Sequence, residues 1–141
     1  MKLANPYLFF NNGKCTKAME HYKKVFGGDL QLMKVGDVNQ EMFKSMNQDL
    51  VMHGLLKTPA FQLMGSDNLQ DNTITGDNVC VYLECSSKVE VDRIYSALVN
   101  DGEESMKPEN TFWGAYFGSL TDAFGISWML SFEAEKPNSK G

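Results

Sequence analysis

Tyr7-Leu8-Phe9-Phe10-Asn11-Asn12-Gly13 runs into Cys15, Ala18, Met19, Tyr22, Val25 and Phe26 at helical spacing and halts at Gly27-Gly28. The chain then repeats itself. Val79 to Leu83 leads through Ser86-Ser87 into Val91, Ile94, Tyr95, Leu98 and Val99, and halts at Asp101-Gly102. Ala18, Tyr22, Val25 and Phe26 fall on Val91, Tyr95, Leu98 and Val99 at one constant offset of 73 positions. An internal repeat of strand, helix and break fixes the architecture before any single motif does.

Working outward from the first copy, the spacing predicts a helix over 14–26, beginning near Asn12 and ended by the left-handed geometry that glycine supplies. A strand is expected over 29–35. A polar, Met-rich stretch follows, in which Met42, Phe43 and Met46 share one apolar face of a short helix or flap. Two more strands read over 50–56 and 60–64, joined through Lys57-Thr58-Pro59. Gly65 to Asn78 reads as a polar linker. The second copy predicts a strand over 79–83 and a helix over 88–100, with Ser87 and Glu90 at capping-box spacing. Strands near Ser105-Met106, over 116–121 and over 126–132 complete it. The expected fold is α+β, with two βαβββ modules (about 1–68 and 76–132) in a single domain over 1–132. A polar tail over 133–141 follows.

The composition, 43% apolar and 22% charged in 141 residues, suits one globular domain. A net charge of −5 and the lack of a Lys/Arg cluster beyond one solvated helix face exclude a general nucleic-acid surface. No apolar run approaches the roughly 20 residues of a membrane span, and 1–6 lacks the apolar core of a secretion signal. A cytoplasmic protein with no membrane partner is therefore expected. Three cysteines without zinc-type spacing speak against a disulfide scaffold or a structural zinc site, and Cys15 lies on the helix stripe as a buried hydrophobe.

Further motifs narrow the reading. Thr111-Phe112-Trp113-Gly114-Ala115-Tyr116-Phe117-Gly118 precedes Leu120-Thr121-Asp122-Ala123-Phe124-Gly125-Ile126-Ser127-Trp128. With Asn5-Pro6-Tyr7-Leu8, Tyr22-Lys23-Lys24-Val25-Phe26-Gly27-Gly28 and Met52-His53-Gly54, they make the chain resemble the PhnB-like branch of the glyoxalase/bleomycin-resistance (vicinal oxygen chelate) superfamily. The resemblance spans nearly the whole chain to Phe132. It implies paired modules whose mostly antiparallel strands curl into a cup, often within a homodimer. In the metalloenzymes of that superfamily, one His, Gln or Glu from the first and last strand of each module holds a metal in the cup. Carried over by position, those places are Asn5, Gln62, Val79 or Asn78, and Met129. A thioether suits copper(I) better than zinc, nickel, iron or magnesium, neutral amides bind such ions weakly without carboxylate or imidazole partners, and only Gln62 could serve as an ordinary ligand, so no metal and no cofactor is expected. The branch also carries the label demethylubiquinone methyltransferase-like. Methyl transfer would need a nucleotide site at a Gly-rich turn between parallel strand and helix, whereas Gly27-Gly28 follows a helix.

Strand alternation nominates the other site residues. Tyr7 shares a face with Asn5, and Met64 shares one with Gln62, so these four are expected to line the cup. Met129 joins them by the resemblance. Trp113 and Tyr116, beside a Gly-rich turn, are placed over the cup mouth, with core or interface packing as their alternative role. Trp128 should point the other way, into helix packing. His53, in an apolar strand, must find a hydrogen-bond partner or face a cavity. In the core or a dimer interface it is structural; in the cup it becomes the candidate catalytic residue for proton transfer. The function expected is metal-independent binding of a small molecule in the cup. A divalent-metal lyase, isomerase or dioxygenase and a non-catalytic structural or regulatory dimer are the alternatives.

Overall fold

The computed structural model describes residues 1–134, and the chain divides into two units, Met1–Ile74 and Thr75–Gly141. The first runs β1 (Tyr7–Phe10), α1 (Cys15–Phe26), β2 (Asp29–Lys34), β3 (Val51–Lys57) and β4 (Gln62–Asp67). Its sheet has the order β1-β4-β3-β2, with β1 and β4 parallel and the other neighbours antiparallel. The second repeats that plan with β5 (Val81–Glu84), α2 (Lys88–Val99), β6 (Glu103–Asn110), β7 (Tyr116–Thr121) and β8 (Ser127–Phe132) in the order β5-β8-β7-β6. Two βαβββ units, each with its own open four-stranded sheet, make the α+β fold that the repeat predicts. Of the polar tail, residues 135–141 lie outside the described residues.

Both helices are 12 residues long, and their bounds are related by the 73-position offset, Cys15 to Lys88 and Phe26 to Val99. Cys15, Ala18, Met19, Tyr22 and Val25 bury one stripe of α1; Val91, Ile94, Tyr95 and Leu98 bury that of α2. Each large apolar side chain so buried contributes roughly 1.5–3 kcal/mol. Beneath α1 lie Phe10, Leu56 and Leu63, all buried, and Met19 Sδ sits 3.4 Å from where a Cβ on Gly65 would stand. Beneath α2 lie Leu120, Trp128 and Leu130, likewise buried. Trp128 thus points where alternation sends it. Its indole N–H donates to Asp122 Oδ2 at 2.9 Å, which satisfies the one polar atom of a fully buried ring.

The helix ends depart from expectation in instructive ways. Asn12 does not cap α1: it sits at φ 59, and its backbone N–H donates to Asp71 Oδ1 at 2.7 Å. The helix starts after Lys14, which offers no side-chain cap; the Cys15 N–H is taken by Asp67 Oδ1 at 2.9 Å. At the far end Gly27 and Gly28 have φ of 75 and 92, whereas in the second unit the left-handed residue is Asp101, φ 61. Gly102 is needed for a different reason. A Cβ there would stand 2.3 Å from the Thr121 carbonyl oxygen, as one on Gly28 would from that of Lys57. In both units the chain leaving the helix presses against the end of the third strand.

Two strand boundaries also moved. β4 continues through Gly65, Ser66 and Asp67, which the sequence reading assigned to a linker, because Leu8, Phe9 and Phe10 pair with them. β5 begins at Val81 rather than Val79, since its partner β8 starts at Ser127 and the ladder opens with Val81 opposite Trp128. A 3₁₀ turn at Val35–Asp37 follows β2, and the Met-rich stretch forms a second at Glu41–Phe43, where the Gln48 amide donates to the Phe43 and Met46 carbonyls at 3.0 and 2.8 Å.

Candidate functional site

In the first unit, alternation divides the sheet into a face under α1 and an open face. Tyr7 and Phe9 of β1, Gln62 and Met64 of β4, and His53 and Leu55 of β3 share the open one. The parallel register sets Tyr7 opposite Met64, and the ladder extends back to Pro6, whose carbonyl accepts from the Met64 N–H at 3.1 Å. Asn5 therefore arrives beside Gln62. Its Nδ2 donates to Gln62 Oε1 at 3.3 Å and approaches Met64 Sδ at 3.9 Å. The structure thus brings together Asn5, Tyr7, His53, Gln62 and Met64.

Tyr7 and His53 form the centre of this face. The phenol oxygen and His53 Nδ1 share a hydrogen bond of 3.0 Å, and the rings stack with centroids 5.6 Å apart. If the imidazole carries its proton on Nε2, the Tyr7 hydroxyl donates to Nδ1, and Nε2–H is left to meet a ligand. Phe9 adds a second ring 5.1 Å from Tyr7 and is 54% exposed, and Met33 stands opposite His53 on β2. Neither was singled out from the sequence, although Phe9 is two residues from Tyr7 and strand alternation alone could have found it. Beside the amide pair, a hollow of about 350 Å³ is lined by residues 3–6 and 58–62, Phe61 among them.

The second unit distributes its candidates differently. Met129 lies on the open face of its sheet, opposite Tyr82 on β5 and Ser119 on β7. Phe117 shares the alternation of Ser119, and Trp113 reaches it with ring centroids 5.8 Å apart. Tyr116 does not join them. Its hydroxyl donates to Asp92 Oδ1 on α2 at 2.7 Å, and Lys88 Nζ stands 5.3 Å from its ring, so it belongs to the helix side of the sheet. The Asp92 hydrogen bond holds the phenol above its ordinary pKa. A tyrosine next to a glycine-marked turn looked like a rim residue; one step of strand parity sends it to the opposite face.

Within neither unit do the ligand positions carried over from metalloenzymes supply a metal's donor set. Met129 faces Tyr82 across the ladder rather than Val79 or Asn78, and Val79 is 79% exposed ahead of the strand. Asn5 and Gln62 engage each other through neutral amides. Among the described residues, no group of three His, Cys, Asp or Glu is placed to hold an ion. The residues present do not fit a divalent cation. The cysteines are equally unlike a catalytic set: burial pushes the Cys15 thiol up to about 12, with Asp67 adding to it, and burial likewise raises Cys85 to about 11.

Comparison with known proteins agrees with this fold. A family model described as 3-demethylubiquinone-9 3-methyltransferase matches residues 2–131. Protein PA1353 of Pseudomonas aeruginosa is 35% identical, with 96% of this chain and all of that one covered at a TM-score of 0.83. The PhnB protein of Bacillus cereus is 22% identical over 94% of this chain and 99% of its own, at a TM-score of 0.77. A glyoxalase/bleomycin resistance protein/dioxygenase family enzyme of Burkholderia phytofirmans shares the fold at 16% identity and a TM-score of 0.64, covering 95% of this chain and all of its own. The chain belongs to the family whose model is described as 3-demethylubiquinone-9 3-methyltransferase, and it shares its fold with glyoxalase/bleomycin resistance proteins.

Proposed function

We propose that the protein binds a small, planar or amphipathic molecule without a metal, on the open sheet face of the first unit. One observation carries the reading: Tyr7, Phe9 and His53 form an aromatic platform on an uncovered sheet face, next to paired carboxamides and a hollow. Stacking supplies affinity, and the few polar groups supply orientation, as in small-molecule sites generally. His53, hydrogen-bonded to Tyr7, is the group we assign to proton transfer or ligand orientation. Met129 and Trp113 line the corresponding face of the second unit. We assign the protein to the cytoplasm, where an exposed free thiol such as Cys80 stays reduced, and to a homodimer that covers part of its exposed apolar sheet surface.

Native mass spectrometry of freshly purified protein, with parallel elemental analysis, tests this directly. The expected result is metal-free protein carrying a small organic mass, at about twice the 15.8 kDa chain. One stoichiometric divalent ion per chain overturns the metal-independent reading.

A further inference from the structure

We infer that the Asn5–Gln62 pair reads the lactam edge of a neutral bicyclic heterocycle whose ring lies toward Tyr7 and His53. The inference rests on the small-molecule reading above and names its ligand class. Asn5 Nδ2 spends its hydrogens on Gln62 Oε1 and Met64 Sδ. Asn5 Oδ1 and Gln62 Nε2 take no partner among the described residues, so the pair leaves one acceptor and one donor unused. Exchanging O and N in both amides leaves the same inventory in reverse order, so the conclusion does not depend on how either amide is turned.

The inventory selects among ligand chemistries. A carboxylate accepts only and would use the donor alone; an ammonium donates only and would use the acceptor alone. A cis-lactam uses both, its C=O accepting from Gln62 Nε2 and its N–H donating to Asn5 Oδ1. Both amides are neutral; Lys57 stands opposite Gln62 on the ladder, and Asp29 opposite Lys57. Distance supplies the ring. Tyr7 follows Asn5 by two residues, about 6.6 Å along an extended chain. A fused bicycle anchored at the amides therefore reaches the Tyr7–His53 stack.

The test uses 2-quinolone, N-methyl-2-quinolone and quinoline as probes, titrated calorimetrically into the full chain and into Gln62→Glu and Asn5→Ala. Wild-type protein should bind 2-quinolone about tenfold more tightly than either control, the worth of one net hydrogen bond. Both variants, with unchanged melting curves, should reduce that preference to about twofold or less while keeping quinoline. Equal binding of the three probes by wild-type protein overturns the lactam inference and leaves the small-molecule reading standing. Binding of none of them overturns it too, and bare protein in native mass spectrometry would then remove the small-molecule reading with it.

Discussion

The two units fold to one plan and start their helices by opposite means. In α2 the start is local: Ser87 Oγ accepts from the Glu90 N–H at 3.0 Å, and the Glu90 carboxylate accepts from the Ser86 N–H at 2.8 Å. In α1 no local side chain helps. The buried Asp67, at the end of β4, accepts from Cys15 N–H with one oxygen and from Val51 N–H with the other, at 2.9 and 2.8 Å. One carboxylate therefore ties helix, β3 and β4 together beneath the sheet that presents His53, Gln62 and Met64. The second unit uses its buried Asp122 in the β7–β8 turn instead, where it accepts from Phe124 N–H, Ile126 N–H and the Trp128 indole. The first unit carries both the long-range anchor and the polar platform. The second is locally stapled and presents a thioether, serines and a tyrosine.

The largest effect should come from breaking the anchor. Asp67→Ala leaves two buried N–H groups without partners, and charge-assisted bonds of this kind are worth roughly 1.5–3 kcal/mol each. We expect a loss of about 3 kcal/mol or more in urea unfolding. A loss under about 1 kcal/mol would mean that α1 does not depend on the anchor. A second expectation concerns alkali. Cys15 is a buried acid whose pKa rises from 9.0 to about 12. Between those values the unfolded thiol has lost its proton and the native one keeps it, so stability falls as pH rises above about 9. Cys15→Ala should flatten that decline between pH 9 and 11, and an unchanged slope would assign it elsewhere. Ser87→Ala, which removes the local cap, should cost about 1 kcal/mol. The comparison is broken if Ser87→Ala costs more than Asp67→Ala.

The same contrast explains what the sequence discloses. Helix bounds and the α2 cap are written within a few residues of one another, in apolar spacing and in Ser87 with Glu90. The α1 cap joins residues 52 positions apart, so Asp67 looked like one more polar residue in a linker. Alternation pairs Asn5 with Tyr7 and Gln62 with Met64, yet only the parallel register of β1 on β4 brings those pairs onto adjoining rows. His53 was legible as an anomaly in an apolar strand, while its partner was not. Tyr116 was misread because a one-residue step reverses a strand side chain, and local composition does not fix that step; β5 starts two residues later than its apolar run because its partner β8 starts at Ser127.

The smallest effect expected is the one that separates platform from scaffold. Gly28 meets the Lys57 carbonyl as Gly102 meets that of Thr121, and Gly54 and Gly118 each pack beneath the neighbouring outer strand. Those two correspondences share an offset of 64, which sets Phe117 where the first unit has His53; the repeat offset of 73 sets Cys80 where it has Tyr7. One unit therefore forms this fold without a Tyr–His pair, so the fold does not require the pair. Tyr7→Phe keeps the ring and deletes a single exposed hydrogen bond, which should change stability by no more than about 0.5 kcal/mol. The imidazole should still respond: with Nδ1 released, nitrogen NMR of His53 should show more of the Nδ1–H tautomer than in wild-type protein. A loss above about 1 kcal/mol would make the Tyr7–His53 bond part of the scaffold, like Asp67, and remove the ground for treating that face as a binding platform.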